Sequence, residues 1–209
     1  MRLHLVRHGQ TIWNKTGRFQ GQNQVSLNEK GLQQAHDAAT ALNSVKAKFL
    51  YASPLPRAME TAKIIGASCN LKIVQLPLLM EMNLGKMDGI TSLEMKKDYP
   101  NTYDMWRSDP SKVTMPSGES LTDLQNRVWR QLLELAQKHP GDEVIAVSHN
   151  FAISATLCRI LEIPLSNFHC LGIDLGSIST IEENDRGWNV KSLNKGFKFC
   201  LLYTSDAAD

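Results

Sequence analysis

Four short stretches of this 209-residue chain carry side chains able to do chemistry, and each lies beside an apolar run. The first is Arg7-His8-Gly9, reached through Leu3, Leu5 and Val6; the second is Ser53-Pro54-Leu55-Pro56-Arg57, after Phe49-Leu50-Tyr51-Ala52. The third is Ser148-His149-Asn150, after Val144-Ile145-Ala146-Val147. The fourth is Glu81, flanked by Leu78, Leu79, Met80 and Met82. Arginine grips phosphate oxygens through bidentate, charge-assisted hydrogen bonds. A neutral imidazole beside such a clamp can attack phosphorus without first losing a proton. An alkoxide leaving a phosphate ester needs a proton donor, and partial burial among apolar neighbours raises a carboxyl pKa so that some of it stays protonated near neutrality. Arg7, His8, Arg57, His149 and Glu81 therefore spell out the parts of a phosphoryl-transfer site.

The elements that must position these groups alternate between strand and helix. Leu3–Val6, Phe49–Ala52, Lys72–Leu76 and Glu143–Val147 have strand character, the last most clearly. Asn28 is placed to cap a helix bearing Leu32, Ala35, Ala39 and Leu42 on one face. Pro54 or Pro56 suits the first turn of a helix running through Ala58, Ala62 and Ile65. Further helices are expected around Leu93 and Met95, around Trp106, from Leu121 until His139-Pro140-Gly141-Asp142, and over Phe151 to Leu161. Asn14 to Ser26 and Glu81 to Gly89 read as loops, and Asn184-Asp185-Arg186-Gly187 as the turn of a late hairpin. This pattern predicts an α/β fold, a three-layer α/β/α sandwich whose central sheet is mostly parallel with an antiparallel strand. Parallel neighbours would bring the Arg7-His8, Ser53 and Ser148-His149 strand ends to one crevice, with Arg57 one turn into a helix. The helix after His149 would add free N–H groups that favour an anion. One domain over residues 1–195 is expected; residues 196–209 are expected to be a frayed or non-native tail without a role.

Composition narrows the classes. A formal net charge of +2 gives no case for nucleic acid or a bulk membrane surface as partner. The four cysteines, Cys69, Cys158, Cys170 and Cys200, form neither a CxxC pair nor a zinc spacing, and are expected to be reduced and mostly buried. The chain shows no long apolar signal region and no run of about 18 apolar residues, so a cytoplasmic, soluble protein is the expectation.

Leu5-Val6-Arg7-His8-Gly9-Gln10-Thr11, followed by Asn14, resembles the signature of the histidine phosphatase superfamily, which includes the cofactor-dependent phosphoglycerate mutases. Supporting stretches are Gly17-Arg18-Phe19-Gln20-Gly21, Leu27-Asn28-Glu29-Lys30-Gly31, Ser53 to Ala58 with Thr61-Ala62, Gly118-Glu119-Ser120 and Val147-Ser148-His149. The resemblance implies a phosphohistidine intermediate on His8, with Glu81 as proton donor and later as base for water. It implies a phosphate pocket of Arg7, Arg57 and His149, lined by Asn14, Gln20 and Gly21 and touched by Asn150. His149 would also stabilise the pentacoordinate transition state. No metal and no cofactor is implied. One departure stands out: where many relatives carry Gly-x-Trp-Glu-Gly, this chain has Gly85-Lys86-Met87-Asp88-Gly89. That change bears on the geometry of the acid loop rather than on the chemistry.

The short span between Glu81 and Gly118 favours the phosphatase branch over the mutases. Small members of that branch act on α-ribazole 5′-phosphate or phosphoserine, and the residues here do not separate the two. A small phosphorylated metabolite is thus the expected partner; a homodimer is compatible with the reading but nothing in the residues demands it. Phosphoglycerate mutase-type transfer and a phosphate-ester-binding pseudoenzyme are the alternatives. Met80, Met82, Met87 and Phe19 are read as an apolar rim, and Trp106 and Arg107 as substrate contacts, with a core position equally open to Trp106. His36 and His139 are read as solvated, His4 and His169 as packing or surface residues.

Overall fold

The computed structural model describes residues 1–196. In chain order the elements are β1 (Arg2–Arg7), α1 (Ile12–Lys15), α2 (Glu29–Leu42), β2 (Ala47–Ala52), α3 (Pro56–Cys69) and β3 (Ile73–Gln75). There follow α4 (Ser92–Asp98), α5 (Pro100–Ser108), α6 (Leu121–Lys138), β4 (Glu143–Ser148), α7 (Asn150–Ile160), β5 (Ile178–Asn184) and β6 (Gly187–Lys195). The strands form one sheet in the order β3-β2-β4-β1-β5-β6. β1, β2, β3 and β4 pair in parallel; β5 pairs antiparallel with both β1 and β6, so it alone runs against the rest. The predicted sandwich is the one observed.

Period-two alternation sorts the strand residues between two cores. Val6, Leu50, Ala52, Ile145 and Val147 meet Ala38, Ala39 and Leu42 of α2 and Ala58, Ala62 and Ile65 of α3. Leu3, Leu5, Tyr51, Val144 and Ala146 face the opposite way, onto Leu124, Val128, Leu132 and Leu135 of α6 and Ala152, Ile153 and Leu157 of α7. Strands apolar on both faces belong in the middle of such a sandwich. The same alternation, carried past the strand ends, sends Arg7 and Ser148 toward the α6–α7 side and His8 and His149 toward the α2–α3 side.

Local signals set the helix starts. The Asn28 carboxamide accepts from Gly31 N (2.9 Å) at the head of α2, and Pro56 occupies the first turn of α3. Ser120 and Asp123 cap α6 reciprocally.

Several expectations are corrected. The stretch from Asn14 is not all loop, because Thr11 caps the helical turn α1. Leu32 lies exposed, outside the buried stripe of α2. His139 is buried rather than solvated: its Nε2 pairs with the Tyr51 hydroxyl at 2.7 Å and Phe49 stacks on its ring. His4 is buried against Thr180, as a packing residue should be, while His36 and His169 are exposed. Of the three described cysteines, all free, only Cys158 is buried; Cys69 is half-buried and Cys170 exposed, so most are not core residues. Cys200 and the tail from residue 197 lie outside the described residues.

Candidate active site

The β1 and β4 ends lie side by side: Arg7 pairs with Ser148, and His8 N donates to Ser148 O (3.1 Å). His8 and His149 are buried with ring centroids 5.1 Å apart. His8 Nδ1 lies 2.7 Å from its neighbour's carbonyl, Gly9 O, a contact only an Nδ1–H can satisfy. Nε2 is then the unprotonated nitrogen, and it accepts from Arg57 Nε at 3.2 Å. Burial, reinforced by the Arg57 and Arg7 charges, holds the His8 pKa well below the usual histidine value. The ring is neutral at pH 7, with its lone pair set toward Arg57.

Gly9 serves this arrangement, though not by letting a ligand approach. A Cβ there would collide with the backbone of Gly31, and one on Gly31 would collide with Gln10. The two glycines let the turn after His8 sit directly on the first turn of α2.

Arg57, in the first turn of α3, is buried, with no carboxylate in contact among the described residues. It donates from Nη1 to Asn23 O (3.0 Å) and from Nη2 to Gly21 O (2.7 Å) and Gln20 O (3.4 Å). Desolvation lowers its pKa to about 10, which leaves the guanidinium charged at neutral pH. Arg7 donates from Nη1 to Ile173 O, while its buried Nε has no partner among the described residues. A buried cation with a donor to spare is a site for an anion.

His149 Nε2 lies 2.7 Å from Ser53 Oγ, which also accepts weakly from Leu55 N (3.4 Å). The Ser53 hydroxyl can give its hydrogen to Nε2, which leaves the His149 proton for Nδ1, a buried atom with no partner among the described residues. Burial first, then the Arg57 charge and the neighbouring His8, keeps this ring neutral as well.

Thr11 settles the orientation of two carboxamides. Its backbone N–H donates to Asn14 Oδ1 (3.1 Å) and its hydroxyl lies 2.8 Å from Gln20 Oε1. Both oxygens are thereby turned to Thr11, and the NH2 groups face away; Gln20 Nε2 is buried, with no partner among the described residues. Gly21, beside Gln20, has no room for a Cβ because the Asp88 carboxylate lies against it. Asp88 accepts from the N–H groups of Gly21 and Gln22. The shortened carboxylate in Gly85–Gly89 thus holds the loop that Arg57 grips from its other side.

Glu81 closes the cluster. Its carboxylate accepts from Met82 N (2.9 Å) and from Phe151 N (3.2 Å) and Ala152 N (3.3 Å) in the first turn of α7. Burial raises its pKa above the usual glutamate value, against the pull of these N–H groups and of Arg57 and Arg7.

A cavity of about 140 Å³ opens over these groups, lined by Arg7, His8, Asn14, Gln20, Glu81 and Asn150, with Arg18, Phe19, Leu84 and Phe151 at its other walls. Gly21, Arg57 and His149 stand behind this surface: Arg57 against His8 and Gly21, His149 beside the His8 ring. Met82 and Met87 are core residues, not a rim. Trp106 packs with Phe151 and Phe168 at centroid distances of 5.8 and 5.6 Å, and Arg107 is exposed and outside the lining. Sequence reasoning did not name Thr11 or Phe151 as site residues and gave Ser53 only as a strand end; the available signals were a hydroxyl three positions after His8 for Thr11 and a hydroxyl four positions before Arg57 for Ser53.

A neutral imidazole nitrogen with its lone pair available, one buried and one half-buried guanidinium, spare N–H donors and a carboxyl biased toward its acid form are what a phosphoryl-transfer centre needs. A family model for the histidine phosphatase superfamily (branch 1) matches residues 3–196. The chain belongs to that superfamily, and the enzyme class that goes with it is a phosphatase. Phosphoserine phosphatase 1 of Hydrogenobacter thermophilus is 34% identical over 194 residues, 93% of this chain and 92% of that one. A probable phosphoglycerate mutase of Yersinia pestis is 31% identical, over 90% of this chain and 87% of its own length. Among solved structures, a mycobacterial glucosyl-3-phosphoglycerate phosphatase solved with VO3 superposes with a TM-score of 0.85 at 30% identity, covering 93% of this chain and 99% of that one. The α-ribazole phosphatase of Shigella flexneri has the same TM-score at 27% identity, covering 93% and 96%.

Among the described residues no helix is long and apolar enough to cross a membrane. The partner expectations rest on the residues alone.

Proposed function

We propose that this chain hydrolyses a small phosphomonoester without a metal, through a phosphohistidine on His8. One observation carries the reading: His8 is held with Nδ1–H on Gly9 O and the Nε2 lone pair on Arg57, at the floor of a cavity that Arg7 and Glu81 also line. The phosphoryl group enters with its oxygens on Arg7, on the NH2 groups of Asn14 and Gln20, and near Asn150. Arg57 shifts its Nε–H from His8 to a phosphate oxygen, releasing the lone pair for attack. As His8 Nε2 bonds to phosphorus and the P–O bond to the alcohol breaks, Glu81 gives its proton to the departing oxygen. His149, donating from Nδ1 and free to gain a second proton in the field of the phosphate, stabilises the extra equatorial charge. Water then attacks the phosphohistidine, with ionised Glu81 taking its proton, and inorganic phosphate leaves.

Phe19, Leu84 and Phe151 support hydrolysis over a mutase reaction, because an apolar wall suits an alcohol better than a second phosphate. α-Ribazole 5′-phosphate and phosphoserine are the substrates to which the relatives point. The deciding experiment is a panel of these two with 3-phosphoglycerate and 2-phosphoglycerate, in EDTA, with and without vanadate. Phosphate release blocked by vanadate, and a phosphohistidine trapped on wild type but not on His8→Ala, is the expected result. Interconversion of the phosphoglycerates faster than phosphate release would replace the reading with a mutase; binding with no turnover on any substrate would replace it with a pseudoenzyme.

A further inference from the structure

The stretch that carries Glu81 makes no ladder with a strand, yet its backbone carbonyls are nearly all claimed by side chains. Arg127, in the second turn of α6, donates from Nη1 to Leu78 O (2.7 Å) and Met80 O (2.8 Å), and from Nη2 to Glu81 O (2.8 Å). Its two remaining N–H groups go to one carboxylate: Nε to Glu119 Oε2 (3.0 Å) and Nη2 to Glu119 Oε1 (2.6 Å). All five guanidinium donors are used. Glu119 passes the constraint on, since its Oε1 also accepts from Asn83 N (2.7 Å) and its own N–H donates to Asn83 O (2.9 Å). Ser148 Oγ takes the carbonyl between, Leu79 O, at 2.8 Å, and Gln22 Nε2 takes Glu81 O a second time at 3.0 Å. On the core side Leu79, Met82 and Leu84 are buried, which stops the loop from lifting.

We infer that Arg127, locked in place by Glu119, is a positioning residue for the acid: it sets the backbone on both sides of Glu81 so that its carboxyl meets the leaving oxygen. The guanidinium is largely enclosed, and its contacts are to the acid loop and Glu119 rather than to the substrate cavity. A planar fork with five donors fits three carbonyls and a bidentate carboxylate at once; an ammonium group has three donors and no plane, so lysine cannot take its place. This inference rests on Glu81 being the proton donor.

Leaving groups separate such a role from mere structural support. A nitrophenolate departs without a proton, whereas a benzyl alkoxide does not, so only the second ester needs a well-placed acid. Phosphate release from benzyl phosphate and from 4-nitrophenyl phosphate is to be measured for wild type, Arg127→Lys and Glu81→Gln. Because kcat/KM reports the steps up to loss of the alcohol, it isolates the acid's part. For Arg127→Lys the expected loss on benzyl phosphate is about tenfold or more, a share of the roughly 10²–10⁴ that general acid catalysis supplies, against less than about threefold on the nitrophenyl ester. Equal losses on the two esters, or none, overturn the inference, provided Glu81→Gln is itself selective for benzyl phosphate. If Glu81→Gln is not selective, the assignment of the acid fails first and takes this inference with it. Should Arg127→Lys fail to fold, Glu119→Gln, which weakens the lock while keeping the three carbonyl bonds available, is measured on the same two esters and must show the same selectivity.

Discussion

His8, Arg57 and His149 stand at strand ends or in the first turn of a helix, whereas Glu81 stands on an irregular stretch between the 3-10 turns Pro77–Leu79 and Gly85–Met87. The first group inherits its positions from backbone ladders: Arg7 lies opposite Ser148, and Ser53 N donates to Val147 O at 3.0 Å. The acid inherits its position from side chains reaching in from α6, β4 and the loop after Gln20. The phosphate-binding half of the site is therefore as rigid as the sheet, while the acid half is only as rigid as a few hydrogen bonds. The Gly85–Gly89 stretch follows the acid loop yet bears on the phosphate-binding half, since Asp88 holds Gly21 and Gln22.

The comparison predicts a graded response to substitution. His8→Ala removes the proposed nucleophile outright; a loss of about 10⁴-fold or more in kcat is expected, with no acid-labile phosphoprotein in quenched reactions. Substantial turnover by that variant would dissolve the distinction, since the sheet-borne half would no longer hold the reacting atom. Glu81→Gln should lower kcat/KM on alkyl esters by about 10²–10⁴ and should flatten the alkaline limb of the pH profile. On the proposed mechanism the first step needs protonated Glu81, so rates fall as pH rises through its elevated pKa.

Arg57→Lys keeps the charge but loses the fork that joins His8 to Gly21 and Asn23. A loss of about 100-fold is expected, since hydrogen bonds to a charged group are worth about 1.5–3 kcal/mol each. Calorimetry with vanadate would show whether the loss lies in binding.

Thr11→Val should weaken vanadate binding by about tenfold, because Gln20 is then free to turn its oxygen toward the anion; Thr11→Ser should restore most of it. Equal behaviour of the valine and serine variants would mean that the neighbouring loops, not the hydroxyl, orient the amides.

The smallest effect is on stability. His8 and His149 are buried neutral, with folded pKa values well below 6.5, so the unfolded chain binds more protons on acidification. Stability should fall as pH drops below 6.5, by about 1.4 kcal/mol per pH unit for each such histidine. His149→Asn should remove one share of that slope in denaturant titrations at pH 5.5 and 6.5. Glu81 works in the other sense: its raised pKa gives up stability as pH climbs from the unfolded glutamate value through the folded one.

How far the chain could be read without coordinates follows the same division. Apolar runs ending in Arg7-His8 and Ser148-His149 are local patterns, and β-sheet geometry converts them into neighbours once the strands are known to be parallel. The cap at Asn28 was legible for the same reason, because capping is a matter of a few consecutive residues, while the structure chose Pro56 over Pro54 and showed the Ser120 cap. His139 was misjudged: beside a Pro-Gly turn it looked solvated, and only the distant Tyr51 and Phe49 bury it. The methionines were misjudged because burial of one side of a loop is decided by what packs over it.

What the sequence alone determined, then, is the family, the mostly parallel sandwich and which histidines and arginines stand at or just past its strand ends; the order of the strands came from the tertiary structure. Tertiary structure alone decided the proton on Nδ1 of His8, the facing of the Asn14 and Gln20 amides, and the placement of Glu81. Each of these depends on a partner that the chain supplies from elsewhere in the fold or on the direction in which a single hydrogen atom points. Arg127 lies 46 residues from the Glu81 carbonyl it holds, and no periodicity records that contact.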